Sequence, residues 1–215
     1  NALKILTVED PVEYQLNGVN QIHVHPQIGL TFASALRSIL RQDPDIIMIG
    51  EMRDTETARI AVQAALTGHK VLSTLHTNDA PSSVTRMLDM QVEDYLLTST
   101  LDGILAQRLV RRLCPRCREP FRPEPQWLRE TGLDRLTEDR AVELYRPVGC
   151  PHCEQTGYRG RTTILELLVM SDAVRRVILE QRSADAIRDV AVREGMIPMR
   201  EDGYKKALAG VTTVE

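Results

Sequence analysis

A chain of 215 residues is long enough for one substantial core, or for one core with a small satellite module. Its 42% apolar and 27% charged residues are those of an ordinary globular protein, and a formal net charge of −3 with 4% aromatic residues argues against general affinity for nucleic acid. No purely aliphatic run, that of residues 46–49 included, exceeds about four residues, far short of the ~18 apolar residues of a spanning helix, so only peripheral membrane contact is expected.

The opening NALKILTVED is already a strand pattern rather than a leader. The chain starts at Asn1 instead of Met, and GVTTVE at the other end carries no stop signal, so both ends read as those of a piece of a longer protein. Residues 4–8 (KILTV) predict a short buried strand that stops at Pro11. Residues 21–25 (QIHVH) alternate as an edge strand does. Thr31 then caps a helix with Phe32, Leu36, Ile39 and Leu40 on one face, ended by Pro44. Residues 46–49 predict a strand apolar on both sides, as covered parallel sheets require. Asp54 or Thr55 caps a helix to Leu66, with Gly68 at its C′ position, and residues 71–75 predict another strand. Helices are expected over residues 81–90 and 95–110. This alternation predicts a mostly parallel sheet with covering helices.

Composition changes at Leu113: residues 114–125 hold two Cys and four Pro, and a short helix is expected within the charged residues 126–140. A second cysteine pair and a Gly-rich turn follow. From Ser171 the pattern is helical, with Val174, Val177, Ile178, Ile187 and Val190 apolar and Ser183 a candidate cap.

Functional groups of open parallel sheets gather beyond the carboxyl ends of the strands. Each of the strands over residues 4–8, 46–49 and 71–75 ends in a polar cluster: Glu9, Asp10 and Glu13; Glu51 and Arg53; His76, Thr77 and Asn78. Residues 45–51 (DIIMIGE) form an aliphatic strand ending in a carboxylate, where phosphate-loop ATPases place an acid that binds Mg²⁺ or polarises the attacking water. Gly50 stands where the metal-linked Asp is usual, and Glu51 where the catalytic Glu is. Glu9 or Glu13 would then supply charge on the metal side. The plainer alternative is a strand ending in a solvated acid. Arg37 and Arg41 lie four apart on one helix face, and Arg53 follows the acid-bearing strand. They suit stabilisation of phosphoryl charge, or a solvated face with ordinary ion pairs. His69 and His76 bracket the third strand; His76 suits contact with a γ-phosphate, or a structural role. His23 and His25 share a strand face without a third ligand, so no metal is assigned there.

Cys114 and Cys117, then Cys150 and Cys153, leave two residues between the thiols of each pair, with 32 residues separating the pairs. That is the spacing of a four-thiolate zinc ribbon, a closed and therefore structural site, with His152 outside the ligand set. Two disulfides are the alternative, disfavoured by the lack of a secretion signal. Arg108, Arg111, Arg112, Arg116, Arg118 and Arg122 make the first pair's surroundings basic, either as a solvated surface or as an attraction for anionic lipid or an acidic membrane partner.

Together these segments resemble the ATPases of type II secretion systems and type IV pilus assembly. TVEDPVEY (residues 7–14) resembles that family's aspartate box, LRQDPDIIMIGEMRD (40–54) its variant Walker B segment, and TGHKVLSTLHTNDA (67–80) its histidine box; the likeness continues through AQRLVRRLCPRC and GCPHCEQTGYRGR. The resemblance implies a truncated RecA-like α/β core over residues 1–112, a tetracysteine zinc module over 113–160, and a C-terminal helical subdomain over 161–215. It implies ATP hydrolysis with Mg²⁺ by a cytoplasmic homo-hexamer peripherally associated with the inner membrane. Its expected partners are an inner-membrane platform protein and the cytoplasmic domain of a membrane component. Glu51 becomes the catalytic carboxylate. Glu9 and Glu13 belong near Mg²⁺; Arg37, Arg41 and Arg53 face phosphate or a neighbouring subunit; His69 and His76 form the histidine-box pair. Zn²⁺ is implied at the four cysteines, which retraction-type relatives generally lack. One departure is large: no glycine is followed by lysine, so the phosphate-binding loop is absent. A fragment inactive by itself is expected, with a non-catalytic zinc-stabilised scaffold as the alternative and a zinc-ribbon nucleic-acid binder as a weaker one.

Overall fold

The computed structural model describes residues 3–137, 142–181 and 183–214. Its contacts divide the chain into two compact units, one of residues 1–103 with 169–190, the other of residues 104–168 with 191–215.

In the first unit four short strands, β1 (Ile5–Glu9), β2 (Val19–His23), β3 (Ile46–Ile49) and β4 (Lys70–Ser73), form a parallel sheet in the order β2-β1-β3-β4. Their registers are Ile5 on Val19, Ile5 on Ile46 and Ile46 on Lys70. The strands thus start together at one edge and deliver their carboxyl ends together at the other. Residues 10–18 return the chain from β1 to β2 without a helix, a span an extended connection of that length covers easily.

Leu6, Val8, Ile47 and Ile49 are buried, and α1 (Phe32–Leu40) and α2 (Thr55–Leu66) pack against them. The expected face of α1 is the one used: Leu36 and Ile39 are fully buried, with Phe32 and Leu40 at the margins. Local chemistry sets the ends of these helices. Thr31 and Ser34 make a reciprocal capping box on α1, the Asp54 side chain accepts from the Thr57 backbone N–H at 2.8 Å to start α2, and Gly68 turns the chain out of α2 with φ of 99°. Then come α3 (Ala80–Asp89), capped by Asp79, and α4 (Asp94–Thr100).

The helix expected over 95–110 is overturned after its first two turns. Leu101 is extended, and β5 (Gly103–Leu113) follows. Leu101, Leu105 and Leu109 mimic a helical stripe at i, i+4, i+8, yet Leu105 and Leu109 are exposed in the strand, while Ile104, Ala106 and Val110 on the other face are partly covered. Asp102 and Gly103 supply the break.

In the second unit β5 pairs with β8 (Tyr158–Val169), and β6 (Glu119–Phe121) pairs antiparallel with β7 (Leu144–Arg146). The helix expected within 126–140 is α5 (Pro125–Thr131), followed by a 3₁₀ turn, Leu133–Leu136; residues 138–140 lie outside the described residues. The segment 161–215 is helical only in part, since β8 occupies its start. Of its helices, α6 (Asp172–Gln181) belongs to the first unit and α8 (Met199–Leu208) to the second, while the division falls within α7 (Ala184–Arg193). Leu133, Val142, Leu144 and Ala207 form one buried apolar cluster of the second unit. Among the described residues no helix is long and apolar enough to cross a membrane.

One glycine is fixed by strand packing. The Gly50 N–H donates to the Val8 carbonyl at 2.7 Å, and a Cβ at position 50 would lie 3.2 Å from that oxygen and 3.3 Å from the Glu9 Cα. Both neighbours are backbone and cannot yield cheaply. Gly50→Val should therefore destabilise the first unit by about 1–3 kcal/mol in urea denaturation, the usual penalty of overpacking. Unchanged stability would show that β1 and β3 can separate at this end.

Candidate functional site

Glu51 lies just beyond β3, on chain locked from both sides. β1 accepts from Gly50 as described, and on the β4 side the Thr74 hydroxyl donates to the Gly50 carbonyl at 2.6 Å while the Met52 N–H donates to the Thr74 carbonyl at 3.1 Å. The Glu51 residue is only 8% exposed. Its Oε2 takes two partners: the Arg53 Nε–H at 2.5 Å and the His76 Nε2 at 3.1 Å. The Arg53 guanidinium hydrogen-bonded to it holds the Glu51 carboxyl below its ordinary pKa, against the opposing pull of burial and with help from His76. Arg53 is held more firmly protonated in return, chiefly by Glu51 and also by the charge of Asp10.

The parallel register brings the first strand's acid to the same edge. Val8 pairs with Ile49, so Glu9 follows level with Gly50. The Glu9 Oε1 accepts from the Thr7 hydroxyl and from the Gln21 amide at 3.0 Å. Glu13 is exposed in the loop that leaves this edge. Glu9, Asp10, Glu51, Arg53 and His76 thus share one rim of the sheet. The arrangement can hold a cation against carboxylates and place a charged oxygen beside a phosphate.

Three expected residues are not brought to Glu51. The Lys4 Nζ donates to the Gln42 carbonyl, and the Lys4 N–H to the Asp45 Oδ2 at 2.6 Å, so the turn after Arg41 sits at the amino edge of the sheet. Arg41 itself is exposed and meets Ser38 at 3.3 Å. His69 is at the amino edge too: its Nδ1 lies 3.0 Å from the Ala64 carbonyl and 3.2 Å from the Thr67 hydroxyl, closing the end of α2, and the next residue's N–H donates to the Asp45 carbonyl. Arg37 forms an exposed ion pair with Glu56. Sequence reasoning passed over Thr74 and Gln21, which position Glu51 and Glu9. Both sit inside or beside the quoted segments, but nothing in their residue type sets them apart from ordinary strand polar groups.

The second unit gathers the four cysteines. Their sulfurs all lie within 4.8 Å of one another; Cys114 to Cys150 is 3.9 Å, Cys117 to Cys153 is 3.8 Å and Cys150 to Cys153 is 3.7 Å. A tetrahedral ion with Zn–S bonds of about 2.3 Å sets sulfurs roughly 3.8 Å apart, whereas a disulfide needs about 2.05 Å. The donor set therefore fits zinc, and all four thiols are free. Burial pushes the Cys117 thiol up to about 11. At Cys153 burial acts the same way but is outweighed by N–H groups of Cys150 and Gly157 that donate to its sulfur, bringing the thiol down to about 6. Gly157 is required there: its φ is 75°, and a Cβ would meet the Pro147 Cβ at 2.4 Å. The chain's last described residues brace the first knuckle, since the Leu113 N–H donates to the Val211 carbonyl, the Thr212 hydroxyl to the Arg111 carbonyl, and Arg118 to the Gly210 carbonyl. Arg118 also lies over the Tyr145 ring and Arg111 over Tyr158, so two of the six arginines near this pair are structural in part. A cavity of about 160 Å³ in this unit has Phe121, Trp127, Tyr145 and Tyr158 in its lining. Arg146 is the one charged residue of that lining, and it already pairs with Glu119 at 3.0 Å.

Comparison with known proteins identifies the family. The family described as "Type II/IV secretion system protein" matches residues 1–215. Type II secretion system protein E of Xanthomonas campestris is 59% identical over 213 residues, covering 99% of this chain and 37% of that protein. The type IV pilus assembly ATPase PilB of Thermus thermophilus is 54% identical over 209 residues, covering 97% of this chain and 23% of that protein. The chain thus spans well under half the length of these relatives. Among solved structures, the pilus retraction motor PilT with bound ADP superposes with a TM-score of 0.69 at 30% identity, over 99% of this chain and 51% of that one. With the sheet and strand-end acids in place and the match running through every residue, the chain belongs to the type II/IV secretion system protein family.

Proposed function

We propose that this chain is part of an ATPase that drives type II secretion or type IV pilus assembly, with Glu51 as its catalytic carboxylate. The observation that carries the reading is the buried, ionised Glu51 at the carboxyl rim of a parallel sheet, held by Arg53 and His76. A carboxylate kept charged while little exposed itself suits alignment and polarisation of a water attacking the γ-phosphorus. In that step the water oxygen bonds to phosphorus, the bond to the β–γ bridging oxygen breaks, ADP leaves, and the water's proton passes to Glu51 or to the departing phosphate. Mg²⁺, when bound, would neutralise phosphate charge; Glu9, Asp10 and Glu13 are the acids at the rim that would hold it or its waters. A phosphate arriving there competes with Glu51 for Arg53. Losing that partner raises the basicity of Glu51, so substrate entry itself prepares the carboxylate to take a proton.

The phosphate-binding loop is placed outside these 215 residues, since no glycine here precedes a lysine. The relatives' greater length supports this placement. The 215-residue chain alone is then inactive. Arg41 and His69, at the amino edge, and Arg37, paired with Glu56, cannot serve this chain's Glu51 as they stand; a homo-hexamer would present them to a neighbour's nucleotide. The four cysteines hold one structural Zn²⁺. The protein would lie in the cytoplasm and contact the inner membrane peripherally, through the platform protein and the cytoplasmic domain of a membrane component.

The direct test is a chimera in which this chain replaces its matching segment of the Xanthomonas campestris protein. ATP hydrolysis should persist, and Glu51→Gln should lower the rate by ~10²-fold or more, as loss of a general base does. Near-normal turnover of the variant would transfer the role to Glu9 or Glu13. An inactive chimera that still folds and binds zinc would favour a scaffold.

Metal content tests the second site. Protein purified without added zinc should carry one zinc per chain, and a chelator should unfold the region of residues 114–153, whose own apolar core is small. Two disulfides and no metal would contradict the assignment.

A further inference from the structure

His76 can act on Glu51 only if the loop after β4 is held in place. That loop runs through Thr77 and Asn78 to Asp79 and turns into α3. Asp79 fixes its far end twice. One carboxylate oxygen, Oδ1, accepts the Ser82 N–H at 2.8 Å and caps the helix. The other, Oδ2, accepts from the Arg188 Nη2 at 2.8 Å, across 109 residues of sequence. Within the loop, the Thr77 hydroxyl meets the Ser83 hydroxyl at 2.6 Å.

Arg188 comes from α7 and is itself preset. Its other terminal nitrogen, Nη1, donates to Asp185 at 2.8 Å, one turn earlier on the same helix. The adjacent Ile187 is fully buried, which fixes the backbone from which the arginine projects. Asp79 and Arg188 are partly covered, at 25% and 36% side-chain exposure, so solvent screening keeps their contribution to overall stability small. Geometry is where the pair matters. A capping carboxylate shared with a distant helix gives the loop one orientation, and the residue three positions upstream is the partner of Glu51.

We propose that Arg188 is a positioning residue for hydrolysis: through Asp79 it sets the loop that presents His76 to Glu51. This rests on the ATPase reading above. Neither residue touches Glu51, and nothing in the spacing of α7 singles out Arg188 from Arg193, the other arginine of that helix.

The test uses the same chimera with Arg188→Ala, Arg188→Lys, Asp79→Asn and the Arg188→Ala/Asp79→Asn pair. Asn remains a good helix cap, so Asp79→Asn removes the charge that holds Arg188 while preserving the start of α3. Arg188→Ala and Asp79→Asn should each lower kcat by ~10-fold, within the range that a small misplacement of catalytic groups produces, with KM for ATP nearly unchanged. The double variant should be no worse than either single one, and Arg188→Lys should recover part of the rate. In the 215-residue chain, amide exchange should quicken at residues 76–79 in both single variants and stay unchanged in β1 and β3. Unaltered kcat in Arg188→Ala, or additive losses in the double variant, would overturn the proposal. Exchange quickened throughout the first unit would do the same, by showing a merely structural role. Should Arg188→Ala not fold, Asp79→Asn decides alone. An inactive parent chimera removes the ATPase reading instead, and the exchange experiment then still decides whether Arg188 fixes the loop.

Discussion

The burial of one carboxylate organises the first unit. A charged acid removed from water is expensive unless it is paired and hydrogen-bonded, and Glu51 meets that condition with Arg53 and His76 on a single oxygen. Each partner depends on a different part of the chain. Arg53 follows two residues behind, in the turn that Asp54 closes by capping α2. His76 arrives from the next strand, on a loop tied down at Asp79. The close approach of β1 at Gly50 and the Thr74 bridge from β4 then keep the backbone of Glu51 from moving away from either. The short strands matter as a frame: equal registers bring three polar clusters to one rim, where a single reactive group can be shared among them.

The second unit is held by different means. Beside the apolar cluster around Leu133 and Leu144, its order comes from the cysteine cluster, from Arg111 and Arg118 stacked on tyrosines, and from hydrogen bonds that tie Leu113 to Val211 and Arg111 to Thr212. Small cores commonly need a metal or disulfides to be stable. Sulfurs spaced for a tetrahedral ion fit the first of these.

Much of this could be read from residue order. The aliphatic strands, their parallel arrangement, the Thr31 and Asp54 caps, the buried face of α1 and the cysteine ribbon all follow from period, caps and spacing, which are local properties. What stayed hidden was long-range. Leu101, Leu105 and Leu109 imitate a helix because their spacing fits one, and only pairing with β8, more than forty residues on, makes residues 103–113 a strand. That His69 and His76 bracket a strand was legible; that His69 turns back to close the end of α2 while His76 meets Glu51 was not. Arg41 and Arg53 likewise looked like one set until the strands put them at opposite edges. Nothing in the sequence marks Asp79, which caps α3, or shows that Arg188 would return to it from α7.

The charge of Glu51 is therefore decisive, and carboxyl ¹³C NMR on the 215-residue chain measures it. The Glu51 resonance should titrate with a midpoint below the ordinary value of 4.5, and Arg53→Ala should move that midpoint upward because the largest stabiliser of the charged form is gone while burial remains. As pH falls through the folded-state midpoint the carboxylate takes a proton and its pairing with Arg53 is lost. A midpoint at or above 4.5 in the unmodified chain, or one that Arg53→Ala leaves in place, would contradict the account.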